Sequence, residues 1–241
     1  VLVDQLSALK KASTLASLAA SHANFDLRVY NPMFNDSRMS YPKYLMASMC
    51  CWDRLNQRMH SKLLLIDDAV GITGGRNYQD DYYDWNAVYS FRDRDVLVAG
   101  PVAKEMHENF EAFWTSPVSV PAERLDDVGR LLLREGAPPV EHAPFAAPQR
   151  VAQMSNDASD PAQIKRLSDA AMQVGVVHFI ADLPEKRVAD VTSAQNAGQR
   201  LRDIVESAKS EVLMQTPYLV LSEPAQEMFR VDPAHRGVAP A

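Results

Sequence analysis

The sequence predicts an α/β domain built on a parallel sheet, and three adjoining segments carry that expectation. Val1 to Asp4 reads as the tail of a buried strand. Residues 5–20 place Leu6, Leu9, Leu15 and Leu18 at helical spacing among many alanines. After Asn24, Phe25 to Tyr30 alternates as a strand does. A strand, a helix and a strand in this order form a crossover unit whose two strands lie parallel.

The remaining elements follow in order. Residues 31–40 have turn chemistry, with Asn-Pro, Asn-Asp and Ser. Lys43 to Asn56 reads as helix. Met59 to Ile66 reads as a strand with His60, Ser61 and Lys62 near its start; Asp67-Asp68 makes a turn, and Val70 to Thr73 is a second short strand ahead of Gly74-Gly75. Asp80 to Trp85 is acidic and aromatic. Asp95 to Ala99 is another strand, and Pro101 opens a helix through Trp114, a position where proline costs the helix no hydrogen bond. From Ser116 to about Asp160 the chain is rich in Pro and Ala and reads as a connector with one helix near Val128–Arg134. Gly175 to Ala181 then reads as a strand, Ala197 to Ala208 as an amphipathic helix, and Glu211 to Thr216 as a strand ending at Pro217-Tyr218.

The chain has 241 residues, 46% of them hydrophobic and 23% charged, enough for a sizeable core. A net charge of -6 argues against a protein held to nucleic acid by bulk charge, while leaving room for a small basic pocket. No stretch approaches the roughly 20 apolar residues that span a bilayer. No charged-then-apolar leader opens the chain. The adjacent Cys50 and Cys51 are expected to be thiols, because neighbouring residues rarely meet disulfide geometry; thiols suit a reducing compartment. The chain opens at Val1 in an apolar run, and both ends read as cuts through a larger protein.

Chemistry concentrates in His60-Ser61-Lys62, then Asp67, then Gly74-Gly75-Arg76-Asn77. Alternation along a strand puts His60 and Lys62 on one face, where both reach a single phosphate. Lys62 supplies charge and His60 a nucleophilic or acid–base imidazole. A tight Gly-Gly turn lets backbone approach an anion, and Asn77 adds a side-chain donor. Asp67 either orients an imidazole or closes the turn. Six fixed positions at ordinary residue frequencies recur by chance in a chain of this length only about a few times in a million. A lone His-x-Lys is a structural polar pair far more often than a site; the full pattern reverses that judgement.

The pattern resembles the phospholipase D superfamily signature H-x-K-x4-D-x6-G-[GS]-x-N at every position. The flanks, Phe25 to Pro32, Arg54 to His60, Asp80-Asp81-Tyr82, Asp93 to Val96 and Gly100-Pro101, look like bacterial cardiolipin synthases of the C type. The resemblance implies a mixed sheet flanked by helices, made of two repeats that each bring one motif to a shared site. It implies that one histidine attacks phosphorus and forms a phosphohistidine, and that the other protonates the leaving alcohol. On that reading His60 is catalytic, Lys62, Gly75 and Asn77 hold phosphate, Asp67 supports, and Asp93 is an acidic residue beside the site. No metal or other cofactor is implied. The implied partners are phosphatidylglycerol and a second phospholipid, met by peripheral contact with a bacterial inner membrane.

The likeness divides the chain into a first repeat over 1–115, a connecting region over 116–195, and the start of a second repeat over 196–241. Histidines stand at 22, 60, 107, 142, 178 and 235, and only His60 is followed two places later by Lys. The second motif, and the opening strand of the first repeat, are therefore expected outside this sequence. Two other classes compete. A phosphodiesterase acting on nucleic acid could complete its site as a homodimer, although the charge makes nucleic acid an unlikely partner; a half-site could also be non-catalytic.

Other residues read more plainly. Met49-Cys50-Cys51-Trp52 suggests core or loop packing rather than zinc. Asp80, Asp81 and Asp84 suggest an acidic helix start rather than metal ligands. His107 is expected on a helix surface and His178 buried on a strand. Tyr82, Tyr83, Trp85, Tyr89 and Phe91 could line a lipid-accessible mouth or pack as core.

Overall fold

In a computed structural model of the chain, residues 1–6, 11–86, 88–139, 147–184, 197–214 and 226 are described. The chain divides into two units, Val1–Phe179 and Ile180–Ala241. The first has the expected mixed α/β character. Its opening strand β1 (Leu2–Asp4) runs parallel to β2 (Arg28–Tyr30), with Val3 opposite Val29 and helix α1 (Ala12–Ala19) between them in sequence. Residues 7–10, the early part of the expected first helix, lie outside the described residues.

A third strand, β6 (Ser119–Pro121), pairs antiparallel with β2. It lies in the stretch that reads from sequence as a connector. Helix α5 (Asp126–Glu135) follows it and packs with α1 on the Val29 face, where Leu15, Ala16, Leu27, Val29, Ala122, Leu125 and Val128 form the main buried cluster. The opposite face carries Arg28 and Tyr30. Both meet the end of α4 (Val102–Trp114): Arg28 Nη1 donates to the Trp114 carbonyl at 2.7 Å and stacks over its ring, and Tyr30 meets Phe113 edge-on at 5.3 Å. Two further helices, α6 (Pro148–Ser159) and α7 (Pro161–Asp169), contain no buried residue. A Pro/Ala-rich composition hid them, because neither carries an apolar stripe wide enough to read.

A second sheet has the order β3-β4-β5, all antiparallel: β3 (Leu63–Ile66), β4 (Val70–Gly74) and β5 (Asp95–Ala99). Asp67 and Asp68 join the first two with φ of 50° and 53°, and the Ala69 amide closes the turn on the Ile66 carbonyl at 3.1 Å. Two successive residues in the left-handed region match the right-handed twist of the strands, and Asp tolerates that region better than most side chains. His107 on α4 meets the same turn, with Nδ1 2.8 Å from Asp68 Oδ1. It sits on the helix surface as expected.

Helices α2 (Tyr41–Cys50) and α3 (Trp52–Asn56) replace the single helix expected from Lys43 to Asn56. The break falls at Cys51, which leaves helical geometry at φ −143° and ψ 40°. Here the structure corrects an expectation: Cys50 and Cys51 are joined by a disulfide rather than being two thiols. Their Cα atoms are only 3.8 Å apart, and the departure of Cys51 from the helix brings the two sulfurs together. The expected packing of this segment holds at Cys51, which packs against Met33, Ala47 and Leu55, and fails at Met49 and Trp52, which are exposed.

Two further expectations are corrected. Residues 175–181 form no strand and His178 is exposed there, because no strand among the described residues supplies partners for the backbone. In the second unit, α8 (Ala197–Ser207) is the amphipathic helix expected from the sequence, with Arg202 Nε 3.6 Å from Glu206. Residues 211–214 are not a strand, and 215–218 lie outside the described residues, as does His142.

Candidate active site

The candidate site begins where the parallel strands end. Asp4 closes β1 and Asn31 follows β2, so both side chains stand at the carboxyl edge, where open α/β sheets place their ligands. Both are buried, and both hold the segment that leads to His60. Asp4 Oδ2 accepts from the Met59 amide at 3.1 Å, and Oδ1 accepts from the Leu6 amide at 2.9 Å. Arg58 Nη1 lies 3.4 Å from Asp4 Oδ1. Burial pulls the Arg58 guanidinium down from its usual value, and Asp4 works against that shift.

Asn31, fully buried with φ 48°, completes the attachment. Its Nδ2 donates to the carbonyls of Arg54 and Gln57 at 2.7 and 2.8 Å, while Oδ1 accepts from Arg54 Nε at 3.1 Å. Arg58 Nη2 in turn donates to the Asn31 carbonyl at 3.2 Å. Four polar side chains thus fix residues 54–59 to the ends of two strands, and His60 is the next residue.

His60 is exposed and lies just ahead of β3, not within it. Lys62 also precedes the strand by one residue. The extended pairing nevertheless reaches it, since Thr73 Oγ1 donates to the Lys62 carbonyl at 3.0 Å. The Lys62 ammonium folds back to donate to the His60 carbonyl at 2.8 Å, so its charge lies beside residue 60. Burial lowers the Lys62 pKa from the ordinary 10.5, and the negative charge of Asp93 opposes that shift.

Gly74 and Gly75 have a different role from the expected tight turn. Gly74 is the last residue of β4 and pairs with Asp95, and neither glycine has a positive φ. What demands glycine is proximity. A Cβ on Gly75 would stand 2.5 Å from both carboxylate oxygens of Asp93, and one on Gly74 would stand 2.5 Å from the Arg94 carbonyl oxygen. The anion that the bare backbone of Gly75 admits is therefore the carboxylate of Asp93, which also faces Lys62 electrostatically.

Arg76 and Asn77 extend the site toward the aromatic residues. Arg76 Nη2 donates to the Asp93 carbonyl at 3.0 Å, its Nε lies 3.2 Å from Asp95 Oδ2, and its guanidinium rests over Tyr83. Asn77 Nδ2 donates to Tyr82 Oη at 2.9 Å. Tyr82 stacks on Phe91, and Phe91 meets Tyr89 edge-on. Arg150 reaches from α6 to the carbonyls of Tyr83 and Asp84 and covers Trp85.

The structure thus groups Lys62, Gly75 and Asp93, with His60 adjoining through its backbone. Asp67 stands apart. It is exposed in the β3–β4 turn, five positions beyond Lys62, a span of about 16 Å along an extended chain. Of the two roles the sequence leaves open for Asp67, the geometry supports closing the turn. The residues that the sequence did not single out are Asp4, Asn31, Arg58 and Arg76. An acid and an amide at successive strand ends were the available signal for the first two. Among the described residues no group of three His, Cys, Asp or Glu is placed to hold a metal ion.

The Lys62–Asp93 relationship is directly testable. Asp93→Asn removes the charge that supports the ammonium, so the Lys62 pKa falls further. The unfolded chain then holds this proton more tightly than the folded one, and stability rises with pH toward 10.5 as the buried charge is relieved. Faster acylation of Lys62 in the variant at mildly alkaline pH, read by peptide mass, is the expected result; an unchanged rate would mean the two groups do not interact.

No family model matches the chain. Cardiolipin synthase C of Escherichia coli is 27% identical over 207 residues, which is 84% of this chain and 42% of that protein. The chain is related to the bacterial cardiolipin synthases. An uncharacterized protein of Helicobacter pylori is 26% identical over 211 residues, 87% of this chain and 41% of its own length. Cardiolipin synthase 1 of Staphylococcus epidermidis is 33% identical over 73 residues, 30% of this chain and 15% of that protein. The chain therefore spans about two fifths of the length of the Escherichia coli and Helicobacter pylori relatives. No solved structure matches.

Proposed function

We propose that the chain supplies one half of a phosphatidyl-transfer site of the phospholipase D type, with His60 and Lys62 acting on one phosphate. The observation that carries this reading is the exposed His60 with the Lys62 ammonium folded beside it, in a chain related over most of its length to a cardiolipin synthase. In the proposed reaction an imidazole nitrogen attacks phosphorus, and the bond to the donor's head-group alcohol breaks. A second acid protonates that alcohol. The acceptor lipid's hydroxyl then attacks, loses its proton, and displaces the imidazole. Lys62 stabilises negative charge on the phosphoryl oxygens as it develops. In this scheme the Asp93 carboxylate rotates away from Gly75 when phosphate enters, exchanging one anion for another beside Lys62. Asn77 holds a phosphoryl oxygen through the N–H that Tyr82 does not use.

The proposed substrates are phosphatidylglycerol and a second phospholipid, reached by peripheral contact with a bacterial inner membrane. No helix among the described residues is long and apolar enough to cross a bilayer. This sequence holds one His-x-Lys pair, so the second half of the site would come from another segment or from a second copy. The purified 241-residue chain, incubated as a monomer with phosphatidylglycerol vesicles, is expected to form little or no cardiolipin. Rapid cardiolipin synthesis by the monomer contradicts the half-site. Cleavage of single-stranded DNA by a dimer of the chain, with phospholipids untouched, would replace this reading with that of a phosphodiesterase.

A further inference from the structure

Sulfur is concentrated in one short segment of the chain. Of its ten methionines and two cysteines, two methionines and both cysteines fall within residues 46–51. Met46, Met49 and Cys50 stand at i, i+3 and i+4 on α2, the spacing that puts three side chains on one helix face. All three line one open groove, walled otherwise by Pro42 and Leu45. Cys51 is bonded to Cys50, so the fourth sulfur reaches the same place. The two methionines do not serve the core, since Met46 and Met49 are 49% and 82% exposed. The helix is anchored through a different residue, Ala47, which is buried with Met33 and Leu55. The sulfurs are therefore displayed by a packed element.

We propose that this groove, once its disulfide is reduced, binds one monovalent copper ion through the Cys50 and Cys51 thiolates and the Met46 and Met49 thioethers. The donor set decides the ion. Thiolate and thioether are soft ligands that suit Cu(I), whereas carboxylate and carbonyl ligands suit harder ions. None of the five lining residues carries a side-chain oxygen or nitrogen. Zinc sites close with four Cys, His or carboxylate ligands, and the two cysteines fall short of that set. The unbranched methionine side chains can adjust to the ion's position. Redox state gates the site, because sulfurs bonded to each other are not thiolates. A dithiol opens it: the Cys50–Cys51 bond breaks, both sulfurs become thiols with two electrons and two protons from the reductant, and the reductant closes to its own disulfide. Cu(I) then replaces the two thiol protons, which pass to solvent. Cys50 is exposed, so reductant and copper donor can both approach it. The site uses neither His60 nor phospholipid and stands independently of the proposed function.

The test is Cu(I) uptake by the purified chain under nitrogen, before and after reduction with dithiothreitol and desalting. Uptake is read as loss of colour from the Cu(I)–bicinchoninate complex. The reduced chain is expected to withdraw one equivalent of copper, to keep it against excess zinc, and to show only sulfur neighbours in copper X-ray absorption. The oxidised chain is expected to withdraw none. Cys50→Ser should weaken binding by about a hundredfold or more, and Met46→Leu combined with Met49→Leu by about tenfold, losses at or beyond those of residues that only support a metal site. All three positions are exposed, so the circular dichroism spectra should not change. A reduced chain that leaves the colour untouched would overturn the proposal, as would displacement of the copper by zinc or nitrogen and oxygen ligands in the absorption spectrum. Full affinity in Cys50→Ser or in the double leucine variant would overturn it too. Equal uptake with the disulfide intact would remove the redox control and the thiolate ligands with it.

Discussion

Replacing His60 by alanine, in a protein or assembly that joins this chain to the second half of the proposed site, is expected to reduce phosphatidyl transfer by about a thousandfold or more. A group that forms the covalent intermediate, or exchanges its proton, contributes effects of that order. The loss should fall on kcat, because the lipid is held mainly by groups other than the imidazole. His60 is exposed, and its substitution leaves the Asp4 and Asn31 attachments intact. Folding should therefore be unaffected, and a thermal melt separates the two effects. Lys62→Ala should lose about a hundredfold or more, the usual consequence of deleting one charged contact to a developing oxyanion. Turnover in His60→Ala equal to that of the wild type would remove the residue from the reaction.

The second large effect is on stability. Asp4→Ala leaves the Arg58 guanidinium and the Met59 amide without their carboxylate in a site where Asp4 is 6% exposed. Deleting one partner of a buried ion pair costs about 3–5 kcal/mol. For a chain of this size that lowers the Tm by roughly 10 °C. Asp4→Asn keeps oxygen for the backbone donors and loses the charge, so it should fall between the two. The damage should also be local. Hydrogen exchange at the Met59 amide, followed in Asp4→Ala below its melting range, should accelerate more than exchange at the Val29 amide in the sheet. Equal acceleration at both would make Asp4 an ordinary core residue with no special hold on the chain before His60.

Much of the fold was legible because its signals are local. The β3–β4 turn was visible in Asp67-Asp68, the start of α4 in Pro101, and α8 in its amphipathic repeat. The strand β6 was not legible, since three residues ending in a proline carry too little alternation to register, and only its pairing with β2 makes them a strand. The same dependence on partners explains the opposite error at 175–181. Valine-rich composition there promised a strand that no strand among the described residues pairs with; the Phe179 amide donates instead to the Glu105 carboxylate.

The motif residues were legible by spacing, and their support was not. Asp4 and Asn31 are 56 and 29 positions before His60, and only the parallel pairing of β1 with β2 brings them to one edge. Spacing also misassigned the glycines. Gly-Gly ahead of Arg-Asn reads as a turn, whereas the structure keeps Gly74 in the sheet and spends the missing side chains on room for Asp93 and Arg94. The cysteine pair misled because adjacency usually forbids a disulfide, and the helix break at Cys51 that permits one has no sequence signal of its own.

In the proposed site one imidazole and one ammonium group meet the same phosphate. Titrating the chain with tungstate, a tetrahedral phosphate mimic, while following the His60 ring protons and the Lys62 side-chain signals by NMR, tests it most directly. Both sets of signals are expected to move with one dissociation constant, and Lys62→Ala is expected to remove the response at His60. A Lys62 response with the His60 ring unmoved, or a His60 response that survives Lys62→Ala, would contradict it.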